Sequence, residues 1–113
     1  MHGCCERVTL WRREGNKFGR EVIGGCRWRR RTERRLEGAG FITREIVSII
    51  VPYRPGFAVA PGDLAALGVH ELEITGEKPY RESDARAMLE LVTVQRVSYN
   101  IGGRAAHVRL ECV

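Results

Sequence analysis

At 113 residues, with 43% hydrophobic and 29% charged residues, the chain has the length and apolar content of one folded domain. No run approaches the ~20 apolar residues of a membrane-spanning helix, and the first residues lack the apolar stretch of a signal peptide. A single domain over residues 1–113, with a flexible terminus at 1–5, no membrane partner and cytoplasmic synthesis, is therefore expected. The formal charge of +5 is uneven: residues 12–35 carry ten basic groups against three acids, so the remainder is slightly acidic. Seventeen of the nineteen basic residues are arginine, whose planar fork suits phosphate and carboxylate partners.

In chain order, residues 6–12 read as a first strand, Val8 and Leu10 alternating with Thr9 and Trp11. Gly15 and Asn16 signal a turn. A second strand covers about 20–28, and Gly24-Gly25 inside it suggests a bulge. The arginine-dense stretch then continues as a protruding basic loop or hairpin over 29–40, ending near Gly38 and Gly40. A β-branched third strand spans 41–51 and stops at Pro52 and Pro55.

Pro61, Gly62 and Asp63 spell a tight turn, Asp63 being able to bond nearby backbone. Short strands are expected at Leu67-Gly68 and at 72–76. The one helix is expected over 83–91, with Ser83 as N-cap and Asp84 in the first turn. A strand over 91–99, a connection at 100–103 and a final strand complete the chain. In that last strand Ala106, Val108, Leu110 and Cys112 share one face, and His107, Arg109 and Glu111 the other. Six or seven short strands, close turns and no crossover helices predict a mainly β fold: a small antiparallel barrel or sandwich with one short helix.

Motifs for chemistry are sparse. Cys4 and Cys5 are adjacent while Cys26 and Cys112 stand apart, which is not the paired spacing of a zinc site. Cys26 and Cys112 read as small buried hydrophobes, and Cys4 and Cys5 as part of a frayed terminus. There is no serine elbow, phosphate loop, dinucleotide fingerprint or zinc-helix motif, so no cofactor is expected. His2, His70 and His107 are scattered, and Glu71, Glu73 and Glu77 read as a solvated edge. No catalytic or metal-ligating set is expected, and no small-molecule substrate. If there were an enzyme or toxin activity, His70 and His107 would be its first candidates.

The sharpest local feature is Arg27, Trp28, Arg29, Arg30, Arg31, Arg34 and Arg35. Clustered arginine beside an aromatic fits phosphate contact and stacking. It fits equally an arm pairing with acids on a neighbouring subunit. If the segment is extended, Arg27, Arg29 and Arg31 face one way, and Trp28 and Arg30 the other.

The order of these features resembles the small head–tail connector proteins of tailed bacteriophages and prophages, the head-closure or stopper type of minor capsid protein. The resemblance runs over about residues 6–112. It rests on the opening strand, the Val22-Ile23-Gly24-Gly25 strand with Trp28, the β-rich segment ending at Pro52, the Pro61-Gly62-Asp63 turn with Gly68, and a closing hairpin with Asn100, Gly102, Gly103 and His107. The Ala-rich Leu64-Ala65-Ala66-Leu67 and the arginine density depart from that pattern and leave a sister neck or tail-completion role open. The resemblance implies a non-enzymatic virion protein at the head–tail junction, assembled in the host cytoplasm. Its implied partners are neighbouring copies of itself in a ring, portal/adaptor or tail proteins, and packaged DNA touched without sequence reading. Loops at about 29–40 and 77–84 would contact ring neighbours or plug the DNA channel. The alternative is a nucleic-acid-binding β-barrel using the arginine segment.

Overall fold

The computed structural model describes residues 5–15, 17–102 and 105–113. The expectations for residues 1–4, for Asn16 and for Gly103 lie outside the described residues. The fold is mainly β: strands β1 (Glu6–Glu14), β2 (Lys17–Glu37), β3 (Gly40–Pro52) and β4 (Leu64–Leu67), helix α1 (Glu82–Met88), then β5 (Val92–Asn100) and β6 (His107–Cys112). Every pairing is antiparallel, and the strands close on themselves in the order β1-β2-β3-β6-β5-β4. Within the barrel, closure leaves no long edge open to aggregation.

The interior is filled by the inward residues of each strand, among them Val8, Leu10, Ile49, Val94 and Leu110. The final strand alternates as its sequence predicts: Val108, Leu110 and Cys112 are buried and Arg109 is exposed. Strand β1 departs from simple alternation, since Val8, Thr9, Leu10 and Trp11 are all buried. A second cluster on the other side of β1 and β4 explains this, packing Trp11, Phe18, Leu64, Ala66, Ile74 and Leu91. Trp11 donates its indole N–H to the Leu72 carbonyl (3.0 Å), satisfying the one polar atom it buries. The same double burial accounts for the small residues of β4: Ala65 faces the barrel interior and Ala66 the outer cluster.

Four expectations are corrected. The second strand does not end at Trp28 but runs 21 residues to Glu37, because the arginine stretch pairs residue for residue with β3. Residues 72–76 form no strand: they cross the outer cluster irregularly, anchored by Phe18 N–H donating to the Ile74 carbonyl (2.9 Å). The strand expected at Leu67-Gly68 is instead Leu64–Leu67. The helix starts at Glu82 with Arg81, not Ser83, as N-cap. Asp84 reaches back to accept the Arg81 N–H (2.9 Å), the acidic half of a capping box two residues earlier than Ser83 would place it.

Local devices set the register. Between Glu6↔Cys26 and Val8↔Ile23, β2 carries one extra residue, and Gly25 at φ +69 absorbs it, so the Gly pair is a bulge. The Glu6 carboxylate accepts the Trp28 N–H (3.0 Å) just beyond. At the turn before β4, buried Asp63 accepts N–H bonds from Ala60 (2.9 Å) and Arg13 (3.0 Å), tying the Pro-Gly-Asp turn to β1.

Candidate contact surface: a projecting arm and a basic sheet face

β3 last pairs with β6 at Val47↔Cys112, yet its pairing with β2 continues from Arg31↔Ile46 to Glu37↔Gly40. Residues 31–46 are thus a two-stranded arm that has left the barrel. Seven residues per strand give it a reach of about 23 Å. Its turn is Gly38-Ala39, with Gly38 at φ +62 and Ala39 at negative φ, as a two-residue type II′ connection needs. The arm explains the radius of gyration of 15.1 Å, against about 13 Å for a compact domain of this length.

A two-stranded ribbon has no core of its own and is marginal in water. This one is braced by ion pairs Glu33–Arg44 (3.7 Å) and Arg35–Glu37 (3.7 Å), and by the Arg34 guanidinium 4.3 Å from the centre of the Phe41 ring. Its tip is nonetheless apolar and open: Leu36 is 67%, Phe41 61% and Ile42 50% exposed. Exposed apolar side chains gathered at the end of a projection mark a contact site.

Directly paired residues share one side of a sheet, which divides the predicted arginines. Arg27, Arg29 and Arg31 point outward, and Trp28, Arg30 and Arg34 point to the opposite side. Arg35 is on the outward side, near the tip. Trp28 packs against the barrel core at the arm's base. Arg30 is occupied: it lies 2.7 Å from Glu90 and 3.4 Å from Glu45, and Glu90's hydrogen bond and charge raise its pKa. The seven residues therefore do not form one site.

The outward three are joined by residues from distant sequence. Across the sheet, Arg27 is in register with Ile50, Arg109 and Ser98; Arg29 is in register with Ser48, Glu111 and Arg96. Arg27, Arg29, Arg31, Arg96 and Arg109 thus gather around Glu111 on one sheet face, and farther along the arm the same side carries the ion pairs Glu33–Arg44 and Arg35–Glu37. Glu111 lies 3.9 Å from Arg31 and 4.0 Å from Arg96, while Arg109 donates to the Ser48 hydroxyl (3.3 Å). Among the described residues Arg27 and Arg29 carry no ion pair. The signal for Arg96 and Arg109 lay in the polar positions of the last two strands, but their register to β2 was not readable. An array of guanidinium groups on a flat face can neutralise phosphates or carboxylates and offers no nucleophile or base.

The histidines do not converge. The His70 backbone N–H donates to the Thr9 hydroxyl (3.0 Å), and the ring Nε2 lies 2.8 Å from the Leu67 carbonyl; the His107 ring lies beside the Ala105 carbonyl. Among the described residues no group of three His, Cys, Asp or Glu side chains is placed to hold a metal. Among them, too, no helix is long and apolar enough to cross a membrane.

Residues 5–113 match the model of the family described as "Family of unknown function (DUF6751)". The chain belongs to that family. The match takes in the barrel, the arm and both strands that complete the basic face. No curated protein matches the chain, and no solved structure matches it.

Proposed function

We propose that this member of the DUF6751 family is a non-enzymatic assembly protein, working in the neck of a tailed phage or prophage by joining copies of itself between the portal or adaptor and the tail. The observation that supports this most is the arm: about 23 Å of paired strand leaves a closed barrel and ends in Leu36, Phe41 and Ile42, all at least half exposed. A monomer gains nothing from that apolar tip, whereas an assembly buries it. The order of strands and turns, with the Gly24-Gly25 bulge and the Pro61-Gly62-Asp63 turn in place, supports the phage setting.

The test is the purified chain followed by sedimentation velocity and electron microscopy as concentration rises, with the neighbouring genes as a second check. Concentration-dependent rings or short stacks, and portal, capsid and tail genes beside this one, are expected. A chain that stays monomeric at millimolar concentration and sits among unrelated metabolic genes overturns the reading.

The basic sheet face supports a second activity, contact with DNA without base reading. Arg27, Arg29, Arg31, Arg96 and Arg109 against Glu111 leave about four phosphate-neutralising charges, which gives a log–log salt slope near −3.6 for duplex DNA. Replacing Arg27, Arg29 and Arg109 with Ala lowers that slope by about 2.7, while Arg30→Ala, on the opposite side, leaves it unchanged. Equal losses from both variants would remove the face from the account.

A further inference from the structure

Formal charge is segregated between two parts of this molecule. Residues 27–35 carry six arginines and one glutamate, net +5; residues 69–90 carry six carboxylates and three basic groups, net −3. Much of this is neutralised internally, so the informative groups are those left over. Among the described residues, Glu71, Glu73 and Glu77 make no ion pair, and on the arm Arg34 has only the face of Phe41 beside it.

Two of these carboxylates, Glu71 and Glu73, stand around a groove of about 570 Å³, lined by them and by Leu72, Thr75 and Tyr80. Its form is fixed by backbone bonds. Leu72 is held through its carbonyl by the Trp11 indole, Ile74 is anchored to Phe18, and Thr75 N–H donates to the Tyr80 carbonyl (2.8 Å). Leu72 packs against the outer cluster, so the floor is rigid and apolar, and Tyr80 stands over it, 46% exposed. The groove thus offers an apolar floor with an acidic rim. One side of the arm tip offers Leu36 and Phe41 with the Arg34 guanidinium beside them, and Ile42 lies on the other side. In this chain the tip is open to solvent and does not fill the chain's own groove.

We propose that the acceptor for the arm is a second copy of this chain: Leu36 and Phe41 of one copy seat against Leu72 and Tyr80 of the next, with Arg34 meeting Glu71 and Glu73. Apolar matching supplies the attraction, and the charges set orientation and reject a reversed arm. Because tip and groove are different patches, the contact is head-to-tail and repeats until it closes into a ring or extends as a filament. The inference rests on the self-assembly proposed above and names its surfaces.

Disulfide trapping tests it, in a chain whose Cys4 and Cys5 are replaced by serine. Copies carrying Phe41→Cys are mixed with copies carrying Thr75→Cys under mild oxidation; copies carrying Ser98→Cys, on the basic face, serve as the control acceptor. All three positions are exposed, and circular dichroism checks that each variant folds. The expected result is a cross-linked dimer from the Phe41/Thr75 mixture alone. Arg34→Glu lowers its yield about tenfold, and pairing that variant with an acceptor carrying Glu71→Arg and Glu73→Arg restores it. Assembly that proceeds without a Phe41–Thr75 link, or that links Phe41 to Ser98 as well, overturns the inference and leaves self-assembly standing. Absence of both assembly and cross-link at millimolar concentration overturns the two together.

Discussion

Replacing Asp63 with alanine probes the device that holds the barrel closed. Asp63 is 5% exposed, and each carboxylate oxygen accepts one backbone N–H, from Arg13 of β1 and from Ala60 of the preceding turn. Its own backbone continues the link: Val94 N–H donates to the Asp63 carbonyl (2.8 Å), and Gly62 N–H to the Val94 carbonyl (2.9 Å), so β1, the turn and β5 meet there. Alanine leaves two backbone donors unpaired, at about 1–3 kcal/mol each, and relaxation with water entry returns part of that. A net loss of about 3 kcal/mol is expected, a large fraction of the 5–15 kcal/mol typical of a domain. Asp63→Asn keeps one acceptor and presents an amide donor to the other N–H, so about half the loss is expected. Urea unfolding followed by tryptophan fluorescence measures both, since Trp11 lies in the adjoining cluster. An unchanged m-value with Asp63→Ala destabilised by less than about 1 kcal/mol would refute the closure argument.

Two further outcomes follow from ionisation. Burial, helped by the charge of Glu111, pushes the Cys112 thiol up to about 12, and Cys26 is fully buried. In a Cys4→Ser chain at pH 8, a thiol reagent should therefore modify exposed Cys5 quickly and the other two only at the rate of unfolding; rapid modification of Cys112 contradicts the packing of β6. Hydrogen bonds from the Arg81 side chain and backbone hold the Asp84 carboxyl below its usual range. A lowered folded value means the contribution is present above the unfolded value near 3.9 and is lost as pH falls through the folded one. The Arg81 amide signal should thus hold steady at pH 5 and shift only below the ordinary carboxylate value; a shift centred at or above that value would show that the cap is not formed.

The strands legible in the sequence were those with one wet face and one dry face. Val108, Leu110 and Cys112 alternate with Arg109 and Glu111, so β6 was readable to within a residue. Strand β1 was found, but the burial of Thr9 and Trp11 was not, because the segment that covers them is 60 residues away and irregular. The arm was expected as a loop or hairpin, and its extent was hidden because arginine carries no strand signal; pairing with the β-branched residues of β3 extends it. The candidate surfaces were the least legible part. Strand parity separates Arg27, Arg29 and Arg31 from Trp28 and Arg30, but only the register across β3 and β6 brings Arg96 and Arg109 beside them. The groove joins residues 71 and 80 through a backbone turn with no residue pattern of its own.

The measurement closest to the central claim compares sedimentation velocity of the wild-type chain with a variant carrying Leu36→Ser, Phe41→Ser and Ile42→Ser. All three side chains are exposed, so the variant should keep its fold and its urea midpoint. Concentration-dependent assembly is expected for the wild type and a monomer for the variant across the same range. Identical assembly by both, with the fold intact, would contradict the claim that the arm tip is where this protein makes its contacts.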